Sequence, residues 1–139
     1  MLKRIIALIL TIALSLSSLV GCTPSDAGAG TTNTSAAYEQ ISTEEAKSIM
    51  DSEEDYIILD VRTQEEYDSG HIAGAILIPD TEIGSKAEAT LTDKDALILV
   101  YCRSGRRSKN AANELATLGY TNVKEFGGIN SWTYGTVSE

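Results

Sequence analysis

The chain has 139 residues, with 11 Lys or Arg against 20 Asp or Glu and a formal net charge of -9 at pH 7. This length is enough for one domain with a real hydrophobic core but hardly for two. The acidic balance argues against a nucleic-acid partner, because a phosphate backbone is bound through clustered basic side chains. The two cysteines, Cys22 and Cys102, allow at most one disulfide.

The amino-terminal segment has the pattern of an export signal. Lys3 and Arg4 precede an apolar run at residues 5–20, which small residues follow. The sequence ending at Cys22 resembles the bacterial lipobox, which implies cleavage after residue 21, lipidation of the Cys22 thiol and an extracytoplasmic protein anchored to the cell membrane. An uncleaved helix or a plain secretory signal is the alternative, although the run is short for a helix that needs about 20 residues to span a bilayer.

Residues 23–37 are small and polar and have no apolar periodicity, which predicts a flexible tether. The chain therefore divides into a signal peptide at residues 1–21, a lipidated cysteine with its tether at residues 22–37, and a folded domain at residues 38–139.

Within that domain, apolar runs of strand length alternate with helical patterns, which predicts an α/β sandwich. Ser42 and Glu45 have the spacing of a capping box and mark the start of the first helix. In chain order, strands are predicted at residues 38–41, 56–59, 75–78, 96–101 and 123–126, and helices at residues 42–50, 65–68, 108–118 and 129–134.

The run at residues 96–101 is the most continuous apolar stretch of the domain, as expected of a central parallel strand covered on both faces. Cys102 follows directly, at the end of the sheet where open parallel sheets bind their ligands. Gly105 permits a tight turn there, so that backbone N–H groups and the start of the next helix converge on one point. This arrangement predicts a nucleophilic thiol whose pKa is lowered.

Positive charge surrounds that thiol. Between Arg103 and Lys109 there are four basic side chains and no acidic one, in a domain that is otherwise acidic. Such a cluster predicts a trap for small anions; solvated charge at a helix start is the alternative, but positive charge is unfavourable there. The candidate substrate-binding residues are Arg103, Ser104, Gly105, Arg106 and Arg107.

Three blocks resemble the single-domain rhodanese family of sulfurtransferases: LDVRTQEEYDSGHIAGAILIP, VYCRSGRRS and FGGINSW, at residues 59–79, 100–108 and 126–132. They occur in the family's order. The resemblance implies a three-layer rhodanese-like sandwich, in which helices cover both faces of a five-stranded parallel sheet of order 1-5-4-2-3. In this family Cys102 would take sulfur from thiosulfate or a similar donor and hold it as a persulfide for a thiol, cyanide or sulfite, and Arg107 matches the arginine that closes the loop.

Other functions of the same fold remain open. A non-enzymatic sulfur carrier or redox sensor would use the same thiol, with a protein thiol as partner. Phosphatases and arsenate reductases of this fold place one residue more between the cysteine and the arginine than the four that separate Cys102 from Arg107. The shorter loop favours sulfur over a tetrahedral oxyanion.

The remaining polar candidates are Asp60, Arg62 and His71. Asp60 and Arg62 could support the active loop, but we favour a brace for the turn after the second strand. His71 is the one histidine of the chain, and we favour a structural role over a Cys–His dyad. No cluster has metal-ligand spacing and no glycine-rich nucleotide loop is present, so neither a metal nor a cofactor is predicted.

Overall fold

The computed structural model describes residues 37–138. The predicted signal peptide, Cys22 and the tether up to residue 36 lie outside the described residues. Within residues 37–138, no helix combines the length and the apolar character that crossing a membrane requires. In chain order, the elements are β1 (Glu39–Gln40), α1 (Thr43–Ser52), β2 (Tyr56–Asp60), α2 (Gln64–Ser69), β3 (Ile76–Leu77), α3 (Ile83–Thr90), β4 (Leu97–Cys102), α4 (Arg106–Thr117) and β5 (Val123–Gly128).

The strands form a five-stranded parallel sheet of order β1-β5-β4-β2-β3, as the resemblance to the rhodanese family implies. β4 lies in the middle, between β5 and β2, and its last five residues are buried. A central strand of a parallel sheet is covered on both faces, and this explains why its sequence is a continuous apolar run.

Side chains of β4 alternate between two hydrophobic clusters, one on each face of the sheet. Ile98, Val100 and Cys102 pack with buried residues of α3 and α4. Leu99 and Tyr101 pack on the other face, with Ala46 of α1 and Phe126 of β5. Cys102 therefore lies on the α4 side of the sheet, at the end of its central strand.

Helix boundaries follow from capping signals where these are strong. Ser42 caps α1 in the predicted capping box with Glu45, and Thr63 and Glu66 form a second one at α2. The last predicted helix, at residues 129–134, is only a 3-10 turn at Ile129–Ser131.

α3 was not expected from the sequence. It buries only Ile83 and Ala87 and begins after a 3-10 turn at Asp80–Glu82, without a side-chain cap. Two buried side chains are too few to give a clear helical period in the sequence.

Candidate active site

The backbone at the end of β4 brings Cys102 against the glycines of β5. The pairing of β4 with β5 shifts between Val100 and Cys102, and places Cys102 opposite Gly128. A Cβ atom on Gly128 would lie 2.1 Å from the carbonyl oxygen of Arg103 and 2.5 Å from the backbone nitrogen of Ser104. Only a glycine leaves room for the loop at this position.

Gly105 turns the loop back toward the sulfur. It is the N-cap of α4 with φ of 103°, in the left-handed region that favours glycine. Its backbone N–H donates to Sγ of Cys102 at 3.1 Å. The loop is therefore a short cradle whose backbone donors face the thiol.

Cys102 is a free thiol and only 1% exposed. Burial is the largest single influence and raises the pKa of the Cys102 thiol. Hydrogen bonds together outweigh burial, so that the pKa of Cys102 lies below its ordinary value. The Gly105 N–H is the donor whose hydrogen bond reaches the sulfur in this structure, and interactions with Ser108 and Ser104 lower the pKa of Cys102 as well.

The three arginines of the loop differ in their surroundings. Arg107 is partly buried and pairs with Glu66 through two hydrogen bonds of 2.7 and 2.8 Å. Arg103 and Arg106 are exposed, and neither has an ion-pair partner among the described residues. Two guanidinium groups thus remain free to meet an anion.

The ion pair of Arg107 joins the loop to α2. The hydrogen bond from Arg107 is the main reason why the pKa of the Glu66 carboxyl is lowered to about 2. The negative charges of Glu66 and Cys102 in turn raise the pKa of Arg107. Arg107 therefore lies within electrostatic reach of the sulfur while its side chain is held by Glu66.

Two buried residues near the sulfur were missed by the sequence analysis, which assigned no role to Ser108 or Glu125. Ser108 is 0% and Glu125 2% exposed. The Ser108 hydroxyl lies 2.6 Å from Oε1 of Glu125, and the same carboxylate oxygen accepts the N–H of Gly127 at 2.8 Å. An acidic residue in β5 next to the buried Phe126 was the available signal.

Asp60 and Arg62 form a separate cluster at the end of β2. Arg62 donates to both carboxylate oxygens of Asp60, with Nη2 at 2.6 Å from Oδ2. The Tyr101 hydroxyl also donates to Asp60, at 2.6 Å, and Arg62 donates to the carbonyl oxygen of Gly70 at 2.8 Å. These contacts tie β2 to β4 and to the end of α2, which is the arrangement of a brace.

His71 contacts the end of α2 rather than the thiol. Its Nδ1 lies 2.9 Å from the carbonyl oxygen of Tyr67, and the two rings stack with centroids 3.7 Å apart. Its backbone pairs with Val137. Among residues 37–138, no group of three or more His, Cys, Asp or Glu side chains could hold a metal ion.

Together these features define a class of protein: a parallel α/β domain that presents an acidic thiol in a loop of backbone donors. Residues 42–134 match the Rhodanese-like domain family, and the chain belongs to that family. Membership of this family and the names of its relatives support sulfur-transfer chemistry in general.

Similar proteins include enzymes and a carrier. The thiosulfate sulfurtransferase PspE of Escherichia coli is 39% identical over 71 residues, which are 51% of this chain and 68% of PspE. The putative sulfur carrier protein YrkF of Bacillus subtilis is 36% identical over 107 residues, 76% of this chain but only 57% of YrkF. A solved rhodanese with anions from E. coli superposes with a TM-score of 0.57 at 34% identity, covering 60% of this chain and 99% of that one.

Proposed function

We propose that this protein is a sulfurtransferase that moves the outer sulfur of thiosulfate, or of a similar donor, to a thiophilic acceptor through a persulfide on Cys102. The observation that carries the proposal is the thiol itself. Its pKa is lowered by hydrogen bonds from the loop even though the side chain is buried. A thiolate in such surroundings is the reactive form of cysteine.

The reaction consists of two displacements. In the first, the Cys102 thiolate attacks the outer sulfur of thiosulfate, a new S–S bond forms, and sulfite leaves with the electron pair of the broken bond. In the second, the acceptor attacks the outer sulfur of the persulfide, and the electron pair returns to Cys102 as a thiolate. The backbone donors of the loop stabilise the negative charge in both resting forms.

The charges around the loop suit an anionic donor. Arg103 and Arg106 are exposed on the outer side of the loop, where they attract thiosulfate into an otherwise acidic domain. Arg107 adds positive potential near the sulfur while Glu66 fixes its position.

Thiocyanate formation from thiosulfate and cyanide tests the proposal. The wild-type protein should form thiocyanate, and mass spectrometry after thiosulfate alone should find one added sulfur on Cys102. Cys102→Ser should do neither, whereas Cys22→Ser, the matched change at the other cysteine, should do both. A wild-type protein that acquires no added sulfur from any donor contradicts the proposal.

A sulfur carrier is the second candidate, and the similarity to YrkF favours it. A carrier would form the same persulfide but release sulfur only to a particular protein thiol. Persulfide on Cys102 without turnover to cyanide, sulfite or any small thiol would therefore favour the carrier over the enzyme.

We also propose that the mature protein is lipid-anchored through Cys22 on the extracytoplasmic side of the cell membrane. The support is the sequence alone: a basic start, an apolar run and the lipobox-like residues before Cys22. Metabolic labelling with a radioactive fatty acid should mark the wild-type protein and not Cys22→Ser. Equal labelling, or recovery of both in the soluble fraction, would contradict the anchor.

A further inference from the structure

Basic side chains without an ion pair occur in only one part of the described domain. Residues 37–138 contain nine Lys or Arg side chains, which are all those of the chain except Lys3 and Arg4. Six of the nine form ion pairs with Asp or Glu. The three that form none among these residues are Arg103, Arg106 and Lys109, and all of them follow Cys102 closely in the chain.

These three side chains form an exposed basic surface beside the thiol. Arg103 directly follows Cys102, at the start of the loop. Arg106 and Lys109 are three positions apart in α4 and therefore share one face of that helix. The basic surface thus extends from the loop over the first turn of α4.

The basic surface does not serve the stability of the fold. Two like charges three positions apart on a helix repel each other, and positive charge at the start of a helix is unfavourable. The first turns of α1 and α2 carry two glutamates each, whereas the first turn of α4 has no acidic residue. A charge pattern that costs stability beside a nucleophile indicates a role in binding.

The basic surface is wider than a small sulfur donor requires. Arg103 and Arg106 are sufficient to attract thiosulfate to the loop, and Lys109 lies almost one helical turn beyond Arg106. Cys102 itself is only 1% exposed, so a nucleophile that collects its sulfur has to reach into the loop. A large anionic partner with a projecting nucleophile would meet both conditions.

Apolar contacts offer no alternative way to dock a partner at the loop. Among residues 37–138, the large hydrophobic side chains that are exposed are Tyr134 and Val137, and neither belongs to the loop or to α4. The rest of the domain surface is acidic, and its Lys and Arg side chains are already paired. An acidic partner is therefore repelled elsewhere and attracted at the thiol, which orients its approach.

We propose that the physiological sulfur acceptor is an acidic polypeptide, which presents a cysteine on an exposed segment between Asp or Glu side chains that pair with Arg103, Arg106 and Lys109. This inference rests on the function proposed above and names the class of acceptor. The acceptor thiolate attacks the outer sulfur of the Cys102 persulfide and forms a new S–S bond. The bond to Cys102 breaks, and its electron pair returns to Cys102 as a thiolate.

The test compares two synthetic peptides of equal length, one with a single cysteine between glutamates and one with the same cysteine between glutamines. The full chain is loaded with thiosulfate and freed of excess donor, and mass spectrometry follows the loss of sulfur from Cys102 to each peptide. Each rate is divided by the rate at which iodoacetamide alkylates the same peptide, which removes the effect of the glutamates on the peptide thiol. At low salt the glutamate peptide should then react about tenfold faster, and the preference should vanish at high salt.

Variants of the basic surface assign the preference to it. Lys109→Gln should reduce the preference about threefold, and Lys109→Arg, which keeps the charge, should retain it. Lys47→Gln removes a charge from α1 and should leave the preference unchanged. Equal normalised rates for the two peptides, or the same preference in Lys109→Gln as in the wild type, overturn the proposal.

A binding measurement separates this proposal from the preceding one, because it needs no sulfur. A fluorescently labelled glutamate peptide with serine in place of its cysteine should bind the wild type more tightly than Lys109→Gln, as measured by fluorescence anisotropy. Such binding by a protein that forms no persulfide with any donor contradicts the sulfurtransferase and supports the docking surface. Persulfide transfer without a preference for the glutamate peptide contradicts the acidic acceptor alone.

Discussion

Two buried carboxylates flank the central strand, Asp60 at the end of β2 and Glu125 in β5. Asp60 faces the guanidinium of Arg62 and the hydroxyl of Tyr101. Glu125 faces only neutral donors, one of which is Ser108 beside Cys102. Among residues 37–138, the buried carboxylate of Asp60 therefore has a cation as its partner, whereas the buried carboxylate of Glu125 has none.

The partners of Asp60 indicate that this carboxylate serves the fold. Burial alone would lower the pKa of Arg62, but the bonds to Asp60 raise it, and burial together with the hydrogen bond to Asp60 raises the pKa of Tyr101. Glu125 has no ion-pair partner among residues 37–138.

The largest effect on stability is expected at the buried cluster of Asp60, Arg62 and Tyr101. Asp60→Asn leaves Arg62 buried at 4% exposure without its counter-charge, and should lower the free energy of unfolding by about 3–5 kcal/mol. Asp51→Asn, the same change in the exposed pair with Lys47, should cost less than about 1 kcal/mol. Urea denaturation followed by circular dichroism measures both.

The same variant tests whether Asp60 acts on the stability of the fold alone and not on the thiol. In the folded fraction, Asp60→Asn should leave the pH profile of Cys102 alkylation where it is in the wild type. A variant of normal stability with impaired sulfur transfer would instead place Asp60 in the active site.

An intermediate effect is expected at the pair that joins α2 to the loop. The pKa of Glu66 falls from 4.5 to about 2 on folding. A lowered carboxyl pKa adds stability that is present above the unfolded value and is lost as pH falls through the folded value. Because the two side chains are 20% and 27% exposed, solvent screening reduces this contribution to about 1–2 kcal/mol.

Acid unfolding of Glu66→Gln measures that contribution. The wild type should lose more stability than Glu66→Gln as pH falls from about 4.5 to about 2, and the two curves should converge at the acidic end. Glu114→Gln serves as the control and should follow the wild type. Parallel curves for Glu66→Gln and the wild type would show that the pair adds nothing to folding.

Local signals in the sequence were sufficient for the strands and the position of the thiol, whereas the order of the strands followed from the resemblance to the rhodanese family. The apolar run before Cys102 indicated the central strand, and the capping pair Ser42 and Glu45 indicated the first helix. Each of these signals is contained within a few consecutive residues and can therefore be recognised without knowing the fold. α3 lacked such a signal, since it buries only Ile83 and Ala87.

Contacts between distant residues could not be read in this way. Glu66 is 41 positions from Arg107, and Glu125 is 17 positions from Ser108. Which arginine is paired, and which acid lies beside the nucleophile, depends on the register of β4 with β5 and on the packing of α2 against the loop. The family resemblance singled out Arg107 as the arginine that closes the loop, and the structure separates it from the two exposed arginines by its pair with Glu66.

The smallest effect is expected at those exposed arginines, and it should appear in substrate binding rather than in stability. Arg103→Gln and Arg106→Gln should each raise the KM for thiosulfate about threefold at low salt, because each removes positive potential from the outer side of the loop. The difference from wild type should shrink as added salt screens the charges. Lys47→Gln, which removes a charge from α1, should leave KM unchanged, and equal KM values for all variants at every salt concentration would contradict the anion trap.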